Sequence, residues 1–227
     1  MKLRAILFDY GGTLDGPASH WLDRFLALYR DAGLALTFDS FRAAFDHATQ
    51  CGYAEPRAAQ MDLPALVAFH VARQMEQLGL HDPAVAQRVI GAFVRASRQA
   101  LAESRTVLVR LQPRVALGVV SNFYGNVERI LAEAGIAPLL STIIDSGRVG
   151  LSKPSAEVFA LALRQLGCAP AEAMYVGDSF EKDIVGAHAA GLRTAWLVGA
   201  TDERPCRAPE LVDVRLRSLA ELEALVA

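Results

Sequence analysis

The chain has 227 residues, 52% of them hydrophobic and 21% charged, with a formal net charge of −2. That size can bury a substantial core, and the apolar fraction excludes a disordered chain. The near-neutral balance excludes the basic excess of a nucleic-acid binder, and no apolar run approaches the roughly 18 residues of a membrane span.

Leu3 to Phe8 is a short apolar run that stops at Asp9 and reads as a buried strand. The segment from Met1 to Asp9 turns acidic too early for the apolar stretch of a secretory signal. Gly11-Gly12 then forces a turn. From about Trp21 to Leu101 the spacing is helical. Trp21, Leu22, Phe25, Leu26, Leu28 and Tyr29 recur on one period, as do Leu66, Phe69, Val71 and Met75. Trp21, Phe25 and Tyr29 are expected in the core of this helical block, with some of them lining a pocket. Gly33, Gly52, Pro64, Gly79 and Pro83 mark helix ends and loops.

After Arg105 strands and helices alternate. Strands are predicted over 115–120, 142–144, 174–176, 194–198 and 212–216. Helices are predicted over 127–134, 155–166, 183–190 and 219–226. Alternation of this kind implies βαβ units and a parallel sheet covered on both faces. The expected fold is α/β, a Rossmann-like parallel sheet core with an inserted helical domain. Residues 1–15 and 105–227 would form the core, and 16–104 the insertion.

Ligands of an open α/β sheet bind beyond the carboxyl ends of its strands. Four places on this chain meet that description: Asp9, Ser121-Asn122, Lys153, and Asp178 with Asp183. Together they offer a hydroxyl, an amide, an ammonium and three carboxylates. Clustered carboxylates repel unless a cation joins them. A hard divalent cation is the natural resolution, and Mg²⁺ suits a site that also takes phosphate. Lys153 and the Ser121 hydroxyl would hold phosphate oxygens, and Asp9 would attack phosphorus to form an aspartyl-phosphate. Cys51, Cys168 and Cys206 are few, odd in number and without CxxC spacing, so they indicate neither a disulfide framework nor a zinc site. A cytoplasmic protein with no nucleic-acid or membrane partner is expected, and the sequence carries no signal of oligomeric state.

Asp9-Tyr10-Gly11-Gly12-Thr13-Leu14, Ser121-Asn122, Lys153-Pro154 and Gly177-Asp178-Ser179 through Asp183 resemble the four ordered motifs of the haloacid dehalogenase-like (HAD) hydrolase superfamily. The helical insertion after the first motif resembles that family's C1 cap. The resemblance implies that Asp9 is nucleophile and metal ligand, that the Gly11 carbonyl and Asp178 complete the metal site, and that Asp183 orients Lys153 or a metal-bound water from behind. It further implies that Gly12, Thr13, Ser121, Asn122 and Lys153 bind the phosphoryl group, with Lys153 stabilising its charge. The implied activity is Mg²⁺-dependent hydrolysis of a small phosphorylated metabolite under a cap that excludes water.

One position departs from that pattern. The superfamily's phosphatases resemble Asp-x-Asp at the first motif, where the second Asp is the general acid and base. Here that position is Gly11. General acid–base help is worth about 10²–10⁴ in rate. The protein therefore acts on good leaving groups, borrows an acid elsewhere, uses non-phosphatase chemistry, or is a catalytically weak or inactive binding module. His20 and Asp15, just past the motif, are candidates to supply the acid.

Two subfamilies that also lack the second Asp fit less well. The 2-haloacid dehalogenases do not keep the fourth-motif ligand, whereas Gly177-Asp178 is intact here. The phosphonoacetaldehyde hydrolases need a cap lysine. Of the chain's 23 basic residues only Lys2, Lys153 and Lys182 are lysines, and none lies between residues 16 and 101. The arginines Arg24, Arg42, Arg57 and Arg73 are candidates to bind a second anionic group, and Phe123 and Tyr124 are candidates to face the cap opening.

Overall fold

The computed structural model describes residues 3–16, 18–200 and 205–226; Lys2 and both chain ends lie outside that set. Its centre is a six-stranded sheet of β1 (Ala5–Phe8), β2 (Ala116–Ser121), β3 (Thr142–Asp145), β4 (Ala173–Gly177), β5 (Arg193–Leu197) and β6 (Val214–Leu216). The spatial order is β3-β2-β1-β4-β5-β6, and every neighbouring pair is parallel. A continuous apolar run makes a central strand because helices cover both faces of such a sheet. In β1, Ile6 and Phe8 pack on one face with Met174 and Val176, while Ala5 and Leu7 pack on the other with Val120 and Tyr175.

Four helices stand between β1 and β2: α1 (Trp21–Asp31), α2 (Phe38–Ala54), α3 (Leu63–Gln77) and α4 (Pro83–Leu111). Their starts follow local chemistry. The Thr37 hydroxyl accepts from the Ser40 amide at α2, the Asp62 carboxylate from Ala65 at α3, and the Asp82 carboxylate from Ala84 and Val85 at α4. Such caps are each worth about 1 kcal/mol. Pro64 and Pro83 occupy first-turn positions, where a missing N–H costs nothing. The helices share an aromatic centre in which Phe25 stacks on Phe93 with ring centroids 4.1 Å apart. Helix α4 runs 29 residues, about 43 Å, straight through residue 104 to pack its last turns near β1's exit and the chain's C-terminal helix.

The core contains α5 (Val127–Glu133), α6 (Ser146–Val149), α7 (Ala156–Leu166), α8 (Gly186–Ala189) and α9 (Leu222–Leu225). The predicted helix over 219–226 becomes a single tight turn, Leu219–Glu221, followed by the four-residue α9, and two more local expectations shift. The predicted helix over 183–190 splits into a tight turn, Phe180–Val185, followed by α8. Gly52 ends no helix but lies inside α2, where a Cβ would stand 2.8 Å from the Tyr124 ring. The bare backbone there lets the inserted helix approach the core.

No helix among the described residues is long and apolar enough to cross a membrane. The sheet's order reverses at β1, with β2 on one side and β4 on the other. This is the topological switch point, where a crevice opens beyond the strand ends.

Candidate active site

Asp9 leaves β1 and Asp178 leaves β4, its direct neighbour, where Phe8 pairs with Val176. Their carboxylates therefore meet across the switch point. Asp9, Asp178 and Asp183 each offer an oxygen within 4.8 Å of the others, and all three residues are buried. Ser121 ends β2 on the other side of β1, and Lys153 comes from the loop before α7.

Three donors converge on one oxygen of Asp9. The Tyr10 amide and the Ser121 hydroxyl donate to Oδ1 at 2.7 Å each, and the Lys153 ammonium stands 2.8 Å from it. Among the described residues no donor is placed on Oδ2. The two oxygens of one carboxylate thus have unlike surroundings.

Lys153 Nζ also lies 2.6 Å from Asp183 Oδ1 and donates to the Tyr175 hydroxyl at 2.8 Å. The Tyr175 hydroxyl in turn donates to the Val120 carbonyl at 2.6 Å. All three ammonium protons therefore have acceptors. Burial pulls the Lys153 ammonium down, but Asp183 and Asp9 outweigh it and leave the group raised and firmly charged. Asp183 is held on its other oxygen by the Ser179 amide at 2.9 Å. It positions the lysine from behind.

Asp178 is pushed well above the carboxylate range, first by burial and then by Asp183 and Asp9. One ammonium does not balance three carboxylates. An all-oxygen donor set with surplus negative charge, Asp9, Asp178 and Asp183, has the chemistry to hold a hard divalent cation. Thr13 donates to Asp178 Oδ1 at 3.2 Å, and the Trp196 indole donates to the Asp178 carbonyl at 3.0 Å. Gly12 has φ +87°, and a Cβ there would stand 2.5 Å from the Asp178 carboxylate. Only glycine combines that backbone with that approach.

Several of the expected site residues hold their neighbours in place. Thr13 and Ser121 donate their hydroxyls to Asp178 and Asp9. The Asn122 amide clasps the Lys153 backbone, donating to its carbonyl at 2.9 Å and accepting from its amide at 2.8 Å. Asp15 is fully buried and receives the Gly12 amide at 2.8 Å, the Trp21 indole at 2.7 Å and Arg24 at 3.2 Å. It ties the first motif to α1 and does not line the cavity. His20 does line the cavity, but its Nδ1 accepts from the Leu22 amide at 3.2 Å and caps α1. Burial, then Lys182, lowers its pKa. Nδ1 is therefore occupied as an acceptor.

A cavity of about 420 Å³ opens above Asp9 between the core and α1 and α2. Trp21, Phe123 and Tyr124 are on its wall; Phe25 and Tyr29 are in the core instead. Of the four arginines singled out, only Arg42 lines it. Arg24 is committed to Asp15, while Arg57 and Arg73 pair with Glu55 and Glu76. Sequence reasoning missed Tyr175 and Trp196. The signal for Tyr175 was a lone hydroxyl-bearing residue in the apolar run of β4.

The family model of haloacid dehalogenase-like hydrolases matches residues 3–191. The chain belongs to this family. It is 36% identical to phosphoserine phosphatase of Thermus thermophilus over 148 residues, 63% of this chain and 59% of that protein. The match thus spans less than two thirds of that relative's length. A structure of YfnB from Bacillus subtilis bound to magnesium shares the fold with TM-score 0.59 and 24% identity, covering 100% of this chain and 99% of that one. A 2-haloacid dehalogenase from Pseudomonas syringae does so with TM-score 0.55 and 22% identity, covering 98% and 97%.

Proposed function

We propose that this HAD-family chain is a Mg²⁺-dependent phosphatase acting on a small phosphorylated metabolite through an aspartyl-phosphate at Asp9. The observation that carries this reading is the asymmetry of the Asp9 carboxylate. Oδ1 is fixed by Tyr10, Ser121 and Lys153, which holds the carboxylate in one orientation at the mouth of the cavity. Lys153, kept charged by Asp183 and Asp9, stabilises the negative charge of the phosphoryl group. Mg²⁺ held by Asp9, Asp178 and the Gly11 carbonyl would supply Lewis-acid charge neutralisation. The Thermus relative's name, phosphoserine phosphatase, and the magnesium of the Bacillus structure support the reaction class. We read residues 1–15 and 105–227 as the catalytic core and 16–104 as a C1-type cap, joined through the continuous helix α4.

Gly11 favours a second reading, in which the site binds metal and phosphate but turns over weakly. The two are separated by hydrolysis of a panel of phosphate monoesters with Mg²⁺, using Asp9→Asn as control. Turnover lost in Asp9→Asn supports the enzyme. Mg²⁺-dependent phosphate binding with no turnover of any ester supports the binding module.

A further inference from the structure

Phe38, Tyr53, Val109, Val149 and Leu225 are the exposed large hydrophobic residues among those described. The two aromatic ones, Phe38 at 43% and Tyr53 at 52% exposure, both belong to α2 and both line the cavity above Asp9. The three aliphatic ones do not line it. Large apolar side chains left in water at the mouth of a cavity mark a binding surface.

The rings continue inward. The Tyr53 and Tyr124 centroids are 4.8 Å apart, Tyr124 and Phe123 5.0 Å, and Phe123 and Trp21 5.5 Å. A run of aromatic rings, tilted or edge-on to one another, thus leads from the mouth on α2 to the loop that follows Ser121. Such a wall takes a planar ring through offset or edge-to-face contacts. A cavity of about 420 Å³ accommodates a single small molecule.

The second observation lies at the reacting end. Gly11 carries no acid, Asp15 is buried under its own donors, and His20 spends Nδ1 on capping α1. A leaving oxygen here must depart without a proton from these groups. A phenol-type hydroxyl, with pKa about 10, tolerates this far better than an alkyl hydroxyl, whose pKa is several units higher, near that of water.

Wall and missing acid point to one substrate class. We propose that the site hydrolyses small aryl phosphates, in which the phosphoryl group is esterified directly to an aromatic ring. This deepens the phosphatase reading and rests on it. An Asp9 carboxylate oxygen bonds to phosphorus while the P–O(aryl) bond breaks. The electron pair leaves on the aryloxide, which takes a proton from water. Water then attacks phosphorus, the P–O(Asp9) bond breaks, and inorganic phosphate and the free carboxylate are released. Without a base at Gly11 this second step is slow, so aryl alcohol appears in a burst followed by slower turnover.

The test compares phenyl phosphate, glycerol 3-phosphate and a fluorinated alkyl phosphate chosen for its acidic alcohol, each with Mg²⁺. The full-length protein and its Tyr53→Ala and Phe38→Ala variants are assayed. The expected kcat/KM for phenyl phosphate exceeds that for glycerol 3-phosphate by about 10² or more, the lower bound of an acid's worth. It also exceeds that for the fluorinated ester by about tenfold, and either substitution erodes that margin, an aromatic contact being worth roughly this factor. Both substitutions fall at exposed positions and leave the fold intact, read by circular dichroism. Equal rates on phenyl and fluorinated esters, or a margin unmoved by both substitutions, would overturn the aryl assignment while the phosphatase reading stands. No turnover of any ester would overturn both.

Discussion

The Lys153 ammonium stands 2.8 Å from Asp9 Oδ1, with the lysine side chain 1% exposed. The same ammonium is 2.6 Å from Asp183. A single buried cation therefore holds the Asp9 carboxylate and neutralises the carboxylate behind it. Removing one partner of such an arrangement leaves a charge buried alone, at about 3–5 kcal/mol. Lys153→Met is predicted to lose stability on that scale in urea unfolding and to lose turnover. Adding Asp183→Asn to it restores part of the stability and none of the turnover. Equal stability of Lys153→Met and wild type would contradict the buried pairing.

The crowding of Asp178 has a measurable sign. Its carboxyl is raised well above the ordinary range by burial, Asp183 and Asp9, so without metal the folded protein holds a proton that the unfolded chain has released. Stability in EDTA should fall as pH rises from the ordinary carboxylate range toward neutrality. Saturating Mg²⁺ at about 100 Kd should add about 2.7 kcal/mol and reverse the trend. Asp178→Asn should abolish the Mg²⁺ increment, yet be more stable than wild type in EDTA near pH 7. Thermal unfolding with and without Mg²⁺ reads all three effects.

Gly11 has φ −74°, and a Cβ there would meet only the Trp21 indole at 3.7 Å, an ordinary contact. Neither backbone nor space demands glycine. Gly11→Asp should fold with near wild-type stability and place a carboxyl beside the reacting centre. Turnover of alkyl phosphates should rise at least about tenfold, part of the 10²–10⁴ available to an acid, with little change for aryl esters. An unchanged ratio of alkyl to aryl rates would show that the absent acid does not limit the reaction.

His70 is fully buried, and neither ring nitrogen has a hydrogen-bond partner among the described residues. Trp21, Phe25, Phe45 and Tyr124 surround it. Burial lowers its pKa to about 4. The unfolded chain then binds a proton below about pH 6.5 that the folded chain refuses until about pH 4. Stability should fall as pH drops through that window, by up to about 3 kcal/mol. His70→Leu should flatten this part of the profile; an unchanged acid slope would assign it to other groups.

Much of the architecture was readable because each strand carries a local signature. An apolar run ends at a polar or acidic residue in β1, β2 and β4, and those ends are the site. Lys153 was legible because an arginine-rich chain kept a lysine before a proline. What sequence could not give was the direction of short side chains. That Thr13, Ser121 and Asn122 hold Asp178, Asp9 and the Lys153 backbone could not be read from the motifs. Asp15 and His20 sit close in sequence to Asp9, but tertiary partners such as Trp21 and Arg24 decide what they do. Gly52 looked like a helix end because its function, admitting Tyr124, depends on a residue 72 positions away.

The most direct test of the central claim is to trap the covalent intermediate. The protein is mixed with phenyl phosphate and Mg²⁺, quenched in acid, and its peptides are analysed by mass spectrometry for phosphorylated aspartate. The predicted result is Mg²⁺-dependent phosphorylation confined to Asp9 and absent from Asp9→Asn. Hydrolysis that persists in Asp9→Asn, or phosphorylation at another residue, would contradict the assignment of Asp9 as nucleophile.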